Sequence, residues 1–203
     1  MKEKNLKDKL TREIFNNFNN LDFKDLSDLI NYQNLGIEQD ECNRHLASFF
    51  PKGINDVFLY LNEIISLKLR NQTKEKLKKL SVSGKIKFLL LKRLELLEKE
   101  KINYKVVLRY FILPKNFLFA NNLLFKVCDE IWFLAGDKSL DFNYYSKRII
   151  LMNIYSAGLI YWVFDKSPNK LKSYKFIDKQ IKNVSKIGKV KYLVKSLFKK
   201  LGL

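Results

Sequence analysis

Apolar residues along this chain recur at intervals of three and four, and no long stretch alternates with period two. That pattern predicts helices and no sheet. Leu6, Leu10, Ile14 and Phe18 mark one face of a first helix over about 6–18. After an Asn-Asn-Leu-Asp break, Phe23, Leu26, Leu29 and Ile30 mark a second, which Gly36 stops. A short third helix holds Cys42, Leu46, Phe49 and Phe50 ahead of Pro51 and Gly53. A long fourth begins near Ile54, with Val57, Leu61, Ile64 and Ile65 inside. The stretch 81–84 is another break, a Leu-rich helix spans about 85–99, and Pro114 ends the apolar segment 106–113. A helix over about 117–134 meets Gly136 as its C-terminal stop. Ser139 or Asp141 is available as N-cap for the next helix, 142–164, the most hydrophobic of the chain. Ser167-Pro168 reads as N-cap and first-turn proline of a helix carrying Leu171, Tyr174, Ile177, Ile181 and Val184 on one side. Gly188 sets off a last basic segment. The expected organisation is all-α: a three-helix unit over 1–53, a helical body over 54–186, and a terminal amphipathic helix over 187–203.

Composition narrows the function classes. With 47% hydrophobic and 30% charged residues, the 203-residue chain can bury a sizeable core. Its formal net charge of +18 calls for an anionic partner, nucleic acid or an acidic membrane surface. Some of that surplus reflects a Lys-rich composition. One histidine, His45, and two distant cysteines, Cys42 and Cys128, leave no disulfide framework and no zinc-ligand set. His45 reads as structural and the cysteines as small buried hydrophobes. No nucleophile motif accompanies His45, and no carboxylate has the Glu-x-x-His spacing of a di-iron site. No catalytic residue, metal or cofactor is therefore assigned. Met1 to Asn5 leads into no apolar run, so no secretory signal is expected. The longest uncharged run, 149–164, is shorter than the about twenty residues a membrane-spanning helix needs.

The charge is unevenly spread. From Asn20 to Phe50 six acids (Asp22, Asp25, Asp28, Glu38, Asp40, Glu41) face two bases, Lys24 and Arg44. From Lys166 to Leu203 twelve lysines face only Asp178. The layout of three short helices, then Phe49-Phe50-Pro51-Lys52-Gly53, then a long helix resembles a TetR-type helix-turn-helix regulator. A DNA-reading version needs cations toward phosphates. Here Glu38, Asp40 and Glu41 sit where phosphates would approach, so DNA binding is disfavoured and the unit reads as a scaffold. A DNA-binding transcriptional regulator stays as the alternative function.

The basic C-terminus has an apolar stripe. Val190, Leu193, Val194, Leu197, Phe198 and Leu201 recur at threes and fours, with Lys191 and other lysines mostly outside the stripe. Such a helix can lie on an anionic membrane surface. A docked terminal helix with a solvated lysine face, or a nucleic-acid tail, are the other readings.

The stretch 129–169 carries Trp132, Ala135-Gly136-Asp137, Ser139, Asp141-Phe142-Asn143, Tyr144-Tyr145 and Arg148. With Phe111–Asn116 and Ile181–Lys189, these residues resemble the coenzyme Q biosynthesis protein nine family over about 80 residues. Tyr144 departs from the family, which carries Trp there. The resemblance implies a TetR-like fold, no catalysis of its own, and an apolar pocket for an isoprenoid lipid or ubiquinone precursor. On this chain the pocket would involve Phe111, Leu113, Phe125, Trp132, Ile150, Ile154 and Trp162, residues that ordinary core packing would also explain. It further implies a patch for a di-iron quinone hydroxylase, carried over to Asp141, Asn143, Tyr144, Tyr145 and Arg148. One of the two adjacent tyrosines must face outward, since helix neighbours do not share a face. A cytoplasmic protein, peripheral on the inner face of the cell membrane, and a homodimer through the last two long helices complete the expectation.

Overall fold

The computed structural model describes residues 2–140 and 142–184. Among them every regular element is helical, so the chain is all-α. The elements are α1 (Lys2–Asn17), a 3-10 turn (Leu26–Leu29), α2 (Tyr32–Leu35), α3 (Gln39–Phe49), α4 (Ile54–Leu77) and α5 (Val82–Lys99). There follow α6 (Tyr104–Ile112), a 3-10 turn (Pro114–Asn116), α7 (Phe117–Ala135), α8 (Phe142–Phe164), a 3-10 turn (Pro168–Lys170) and α9 over 171–184. No described helix is long and apolar enough to cross a membrane.

The second helix expected from the sequence is replaced by two shorter pieces, for a local reason. The Ser27 amide donates to the Asp25 carboxylate at 2.5 Å, and Asp28 accepts from the Lys24 and Asp25 amides at 2.7 and 3.2 Å. This reciprocal capping closes a single turn rather than a long helix. Asn31 then caps a new start by accepting the Gln33 amide, and Gly36 ends α2 in the left-handed region at φ 63°. The break placed at 81–84 is also shorter than expected. Ser81 Oγ accepts the Gly84 amide at 3.3 Å, so α5 already begins at Val82 and Gly84 lies inside it.

The chain forms two compact units. Of the described residues, one comprises those up to Gln72 with Arg93–Val127; the other comprises Thr73–Lys92 with those from Cys128 onward. Phe18, just after α1, meets Phe58 of α4 at 5.9 Å and Tyr110 of α6 at 6.1 Å between ring centroids. The three-helix head thus shares one aromatic core with α4 and α6. The Tyr110 hydroxyl is accommodated there by donating to Asn55 Oδ1 at 2.9 Å.

In the second unit α8 packs on α9 at Gly158. A Cβ built there would lie 2.8 Å from Cγ1 and 3.0 Å from Cδ1 of Ile177, a fully buried side chain. We expect Gly158→Ala to lower stability by about 1 kcal/mol, because overpacking outweighs the gain in helix propensity. In an Ile177→Ala background the same change should turn neutral or stabilising, and urea unfolding of the four proteins checks the sign reversal. The α8–α9 connection is held by Asp165, which accepts the Ser167 amide at 2.8 Å and the Ser173 amide and hydroxyl at 2.8 and 2.6 Å. Burial pushes its carboxyl up, but these bonds outweigh that and hold it well below the usual range.

Candidate functional site at the α7–α8 junction

Helix α7 ends on a glycine that also aims the following aspartate. Gly136 takes φ 89°, its amide donates to Phe133 O at 3.0 Å, and the Asp137 amide donates to Trp132 O at 3.0 Å. This is a Schellman ending, and it needs a residue that tolerates the left-handed region. Lys85 Nζ reaches the last carbonyl, Ala135 O, at 3.4 Å. The chain reverses into α8 with the Asp137 carboxylate turned inward.

That carboxylate meets three donors. Lys147 Nζ lies 2.6 Å from it, Ser139 Oγ 2.7 Å and Arg148 Nη1 3.0 Å. Arg148 Nε also donates to Asp129 Oδ1 on α7 at 2.6 Å, and Nη1 to Tyr144 O at 3.0 Å. The Tyr144 hydroxyl donates to Asp129 Oδ1 at 2.9 Å, while its ring lies under the guanidinium at 3.4 Å. Trp132 Nε1 donates to Lys147 O at 3.1 Å, and Lys147 Nζ sits over the indole at 5.3 Å. The planar fork of Arg148 suits this bridging of two carboxylates and a carbonyl. Arg148 is only 3% exposed, so the expectation that it belongs to the outer surface is corrected: it is the buried tie between α7, the loop and α8.

Burial pushes the Asp137 carboxyl up, but the bonds from Lys147, Ser139 and Arg148 outweigh it and hold the group far below the ordinary carboxylate range. A depressed folded value means stability that is full above the unfolded value, near about 4, and lost as pH falls through the folded one. In urea unfolding the wild type should therefore exceed Asp137→Asn at pH 7. The gap should narrow progressively below about pH 4, since protonated Asp resembles Asn; a gap independent of pH would refute the assignment.

The cluster leaves other side chains outside. Tyr145 is 59% exposed and Phe142 82%, whereas Tyr144 is half-buried; of the tyrosine pair, Tyr145 is the outward member. Leu140, Asn143 and Ile149 are exposed beside them, and Asp141 lies outside the described residues. Sequence reasoning missed Asp129, Asp137 and Lys147 as cluster members and Leu140 and Phe142 as surface. The alternation of outward positions 142, 145 and 149 was the available signal. Ser139, considered as an N-cap, instead donates its hydroxyl to Asp137.

The expected pocket residues fall into both units. In the first, Phe111, Leu113 and Phe125 are half-buried, Phe111 packing on Phe58 at 4.7 Å between centroids. In the second, Ile154 and Trp162 are buried and Trp132 half-buried in the contacts above. Ile150 is 41% exposed and Ile149 53%. The proposed membrane residues Val190, Lys191, Leu193, Val194, Leu197, Phe198 and Leu201 lie outside the described residues. In the head, Glu38, Asp40 and Glu41 are exposed at the start of α3, and His45 stacks on Phe49 at 5.5 Å. Cys42 and Cys128 are not disulfide-bonded, and both are fully buried.

Comparison with known proteins places this junction in context. The COQ9 family model matches residues 119–188. The chain is 27% identical over 157 residues to a probable ubiquinone biosynthesis protein coq9, mitochondrial, of Dictyostelium discoideum, covering 77% of this chain and 50% of that protein. It is 34% identical over 89 residues to the mitochondrial ubiquinone biosynthesis protein COQ9 of Rattus norvegicus, covering 44% and 28%. The corresponding human protein is 32% identical over 89 residues, covering 44% and 28%. These matches thus span half or less of the relatives' own lengths. A TetR transcriptional regulator from Nitrosomonas europaea ATCC 19718 superposes with a TM-score of 0.61 at 14% identity, over 89% of this chain and 98% of that one. At that identity the likeness speaks for the fold alone, which is TetR-like. The α7–α8 cluster lies wholly inside the 119–188 match, so over this segment the chain is similar to the COQ9 proteins, on a fold that is all-α and TetR-like.

Proposed function

We propose that the chain is a non-catalytic accessory protein of ubiquinone biosynthesis that holds an isoprenoid or quinone-precursor lipid and presents it, at an anionic membrane surface, to a di-iron hydroxylase. The observation that carries this reading is the outward apolar group Leu140, Phe142, Tyr145 and Ile149, seated on the buried Arg148 cluster inside the segment shared with the COQ9 proteins. Exposed aromatic side chains on a rigid support are what a partner contact needs. The docking residues are Phe142, Asn143 and Tyr145, with Arg148 and Tyr144 positioning them. The basic stripe after Gly188 supplies the membrane contact.

Lipid carriage is tested by organic extraction of the purified chain and mass spectrometry. An isoprenoid lipid should co-purify in a stoichiometric amount, and its consistent absence would rule out the carrier role. The regulator alternative has less support. The carboxylates of Glu38, Asp40 and Glu41 crowd the start of α3, where phosphates would have to approach.

A further inference from the structure

The corner between α6 and α7, in the first unit, shows a feature that the reading above does not use. Three large apolar side chains stand out there within seven residues: Ile112 at 72% exposure, Phe117 at 58% and Leu118 at 77%. The corner is built to hold them out. Asn116 is buried, its Nδ2 donating to Tyr110 O at 2.8 Å and its amide to Leu113 O at 2.9 Å. Pro114 opens the 3-10 turn, and the Phe117 amide donates to Pro114 O. A buried Asn side chain bonded to the backbone of the preceding turn ties the corner together, and the three apolar groups are displayed on its outer side.

Along the chain, the charge that flanks the corner has one sign. From Lys101 to Cys128 the chain contains no Asp or Glu and five cations: Lys101, Lys105, Arg109, Lys115 and Lys126. All five are exposed. Lys105, Arg109 and Ile112 follow one another at helical spacing on the outer side of α6. Lys115, Leu118, Asn122 and Lys126 do the same along the 3-10 turn and α7. An apolar tip with a cationic collar matches an anionic bilayer: acyl chains accept the tip and headgroup phosphates meet the collar. A nucleic acid would use the cations but would have no place for three aliphatic and aromatic groups in water.

We propose that the α6–α7 corner is a second membrane-contact element, inserting Ile112, Phe117 and Leu118 at the headgroup boundary of an anionic bilayer with Arg109 and Lys115 on its phosphates. It deepens the membrane part of the proposed function but stands on residues separate from the C-terminal stripe. The test uses the full chain and vesicles of phosphatidylcholine with phosphatidylglycerol. Phe117→Ser with Leu118→Ser should weaken co-sedimentation about tenfold, as expected when most of the inserted apolar area is removed. Its circular dichroism and unfolding midpoint should stay at wild-type values. Leu197→Asn with Phe198→Asn tests the tail independently, so a failure of either element is read apart from the other.

A direct probe comes from Leu118→Cys carrying an environment-sensitive NBD label, since both native thiols are fully buried. Its fluorescence should rise and shift to the blue on anionic vesicles and less on phosphatidylcholine alone, while a label at Asp40→Cys should not respond. Unchanged sedimentation of the Phe117/Leu118 double variant, equal responses at the two labelled positions, or a response to duplex DNA in place of vesicles would each overturn the proposal.

Discussion

Replacing Arg148 by methionine will destabilise the second unit by about 3 kcal/mol, and lysine will recover less than half of that loss. The side chain has similar length and reach in both variants, so the difference isolates charge and fork geometry. In the wild type the guanidinium offers Nε to Asp129 and Nη1 to Asp137 and Tyr144 O. Methionine leaves the Asp137 carboxylate, whose side chain is 4% exposed, inside the unit with only Lys147 and Ser139. Asp129, whose side chain is 42% exposed, regains water, which places the loss at the low end for a broken buried ion pair. Lysine restores the charge but cannot bridge Asp129, Asp137 and a carbonyl at once. Urea unfolding followed by tryptophan fluorescence will read the effect, because Trp132 sits against Lys147 at the edge of the same cluster. An Arg148→Met midpoint equal to wild type would show that the cluster contributes nothing net to folding.

The parts of the fold that were legible in the sequence are those with strong punctuation. Helix α8 runs from Phe142 to Phe164 as the uninterrupted apolar pattern predicts, and α4 opens at Ile54 directly after Gly53. Gly136 ends α7 in the conformation only glycine adopts freely. The head was less legible because its polar residues compete locally with the helix. Asp25 and Asp28 close a turn within four residues, which no periodicity of Phe23, Leu26 and Leu29 reveals. Arg148 was misplaced for a different reason. A charged residue beside exposed aromatics reads as surface, since arginine is rarely buried unless paired. Its partners stand eleven and nineteen positions upstream, across the α7–α8 reversal, and spacing along one helix cannot report such a pairing. Of the tyrosine pair, the helix geometry required one to face outward, but only the Asp129 and Arg148 contacts decide that Tyr144 is the inner one.

Substituting Phe142 and Tyr145 together by serine will lower affinity for the proposed hydroxylase partner by roughly 100-fold or more, with the unfolding midpoint unchanged. The two side chains lie outside the core, so their removal takes little packing from the folded state, and surface changes of this kind stay within about 0.5 kcal/mol. A partner that covers them removes two aromatic faces from water, and anchors of this type are worth about 2 kcal/mol each when they fill a pocket. Tyr144→Ala supplies the contrast. It takes the ring from beneath the Arg148 guanidinium and the hydroxyl from Asp129, so it should weaken binding together with stability, and glycerol or another stabilising osmolyte should restore part of both. The double variant should gain nothing from the same additive, because its loss lies in the contact itself. Titration calorimetry with the purified hydroxylase, beside urea unfolding of each variant, separates the two behaviours. A Phe142/Tyr145 double variant that binds within about threefold of wild type would remove this face of α8 from the interface and leave the Arg148 cluster a purely structural staple.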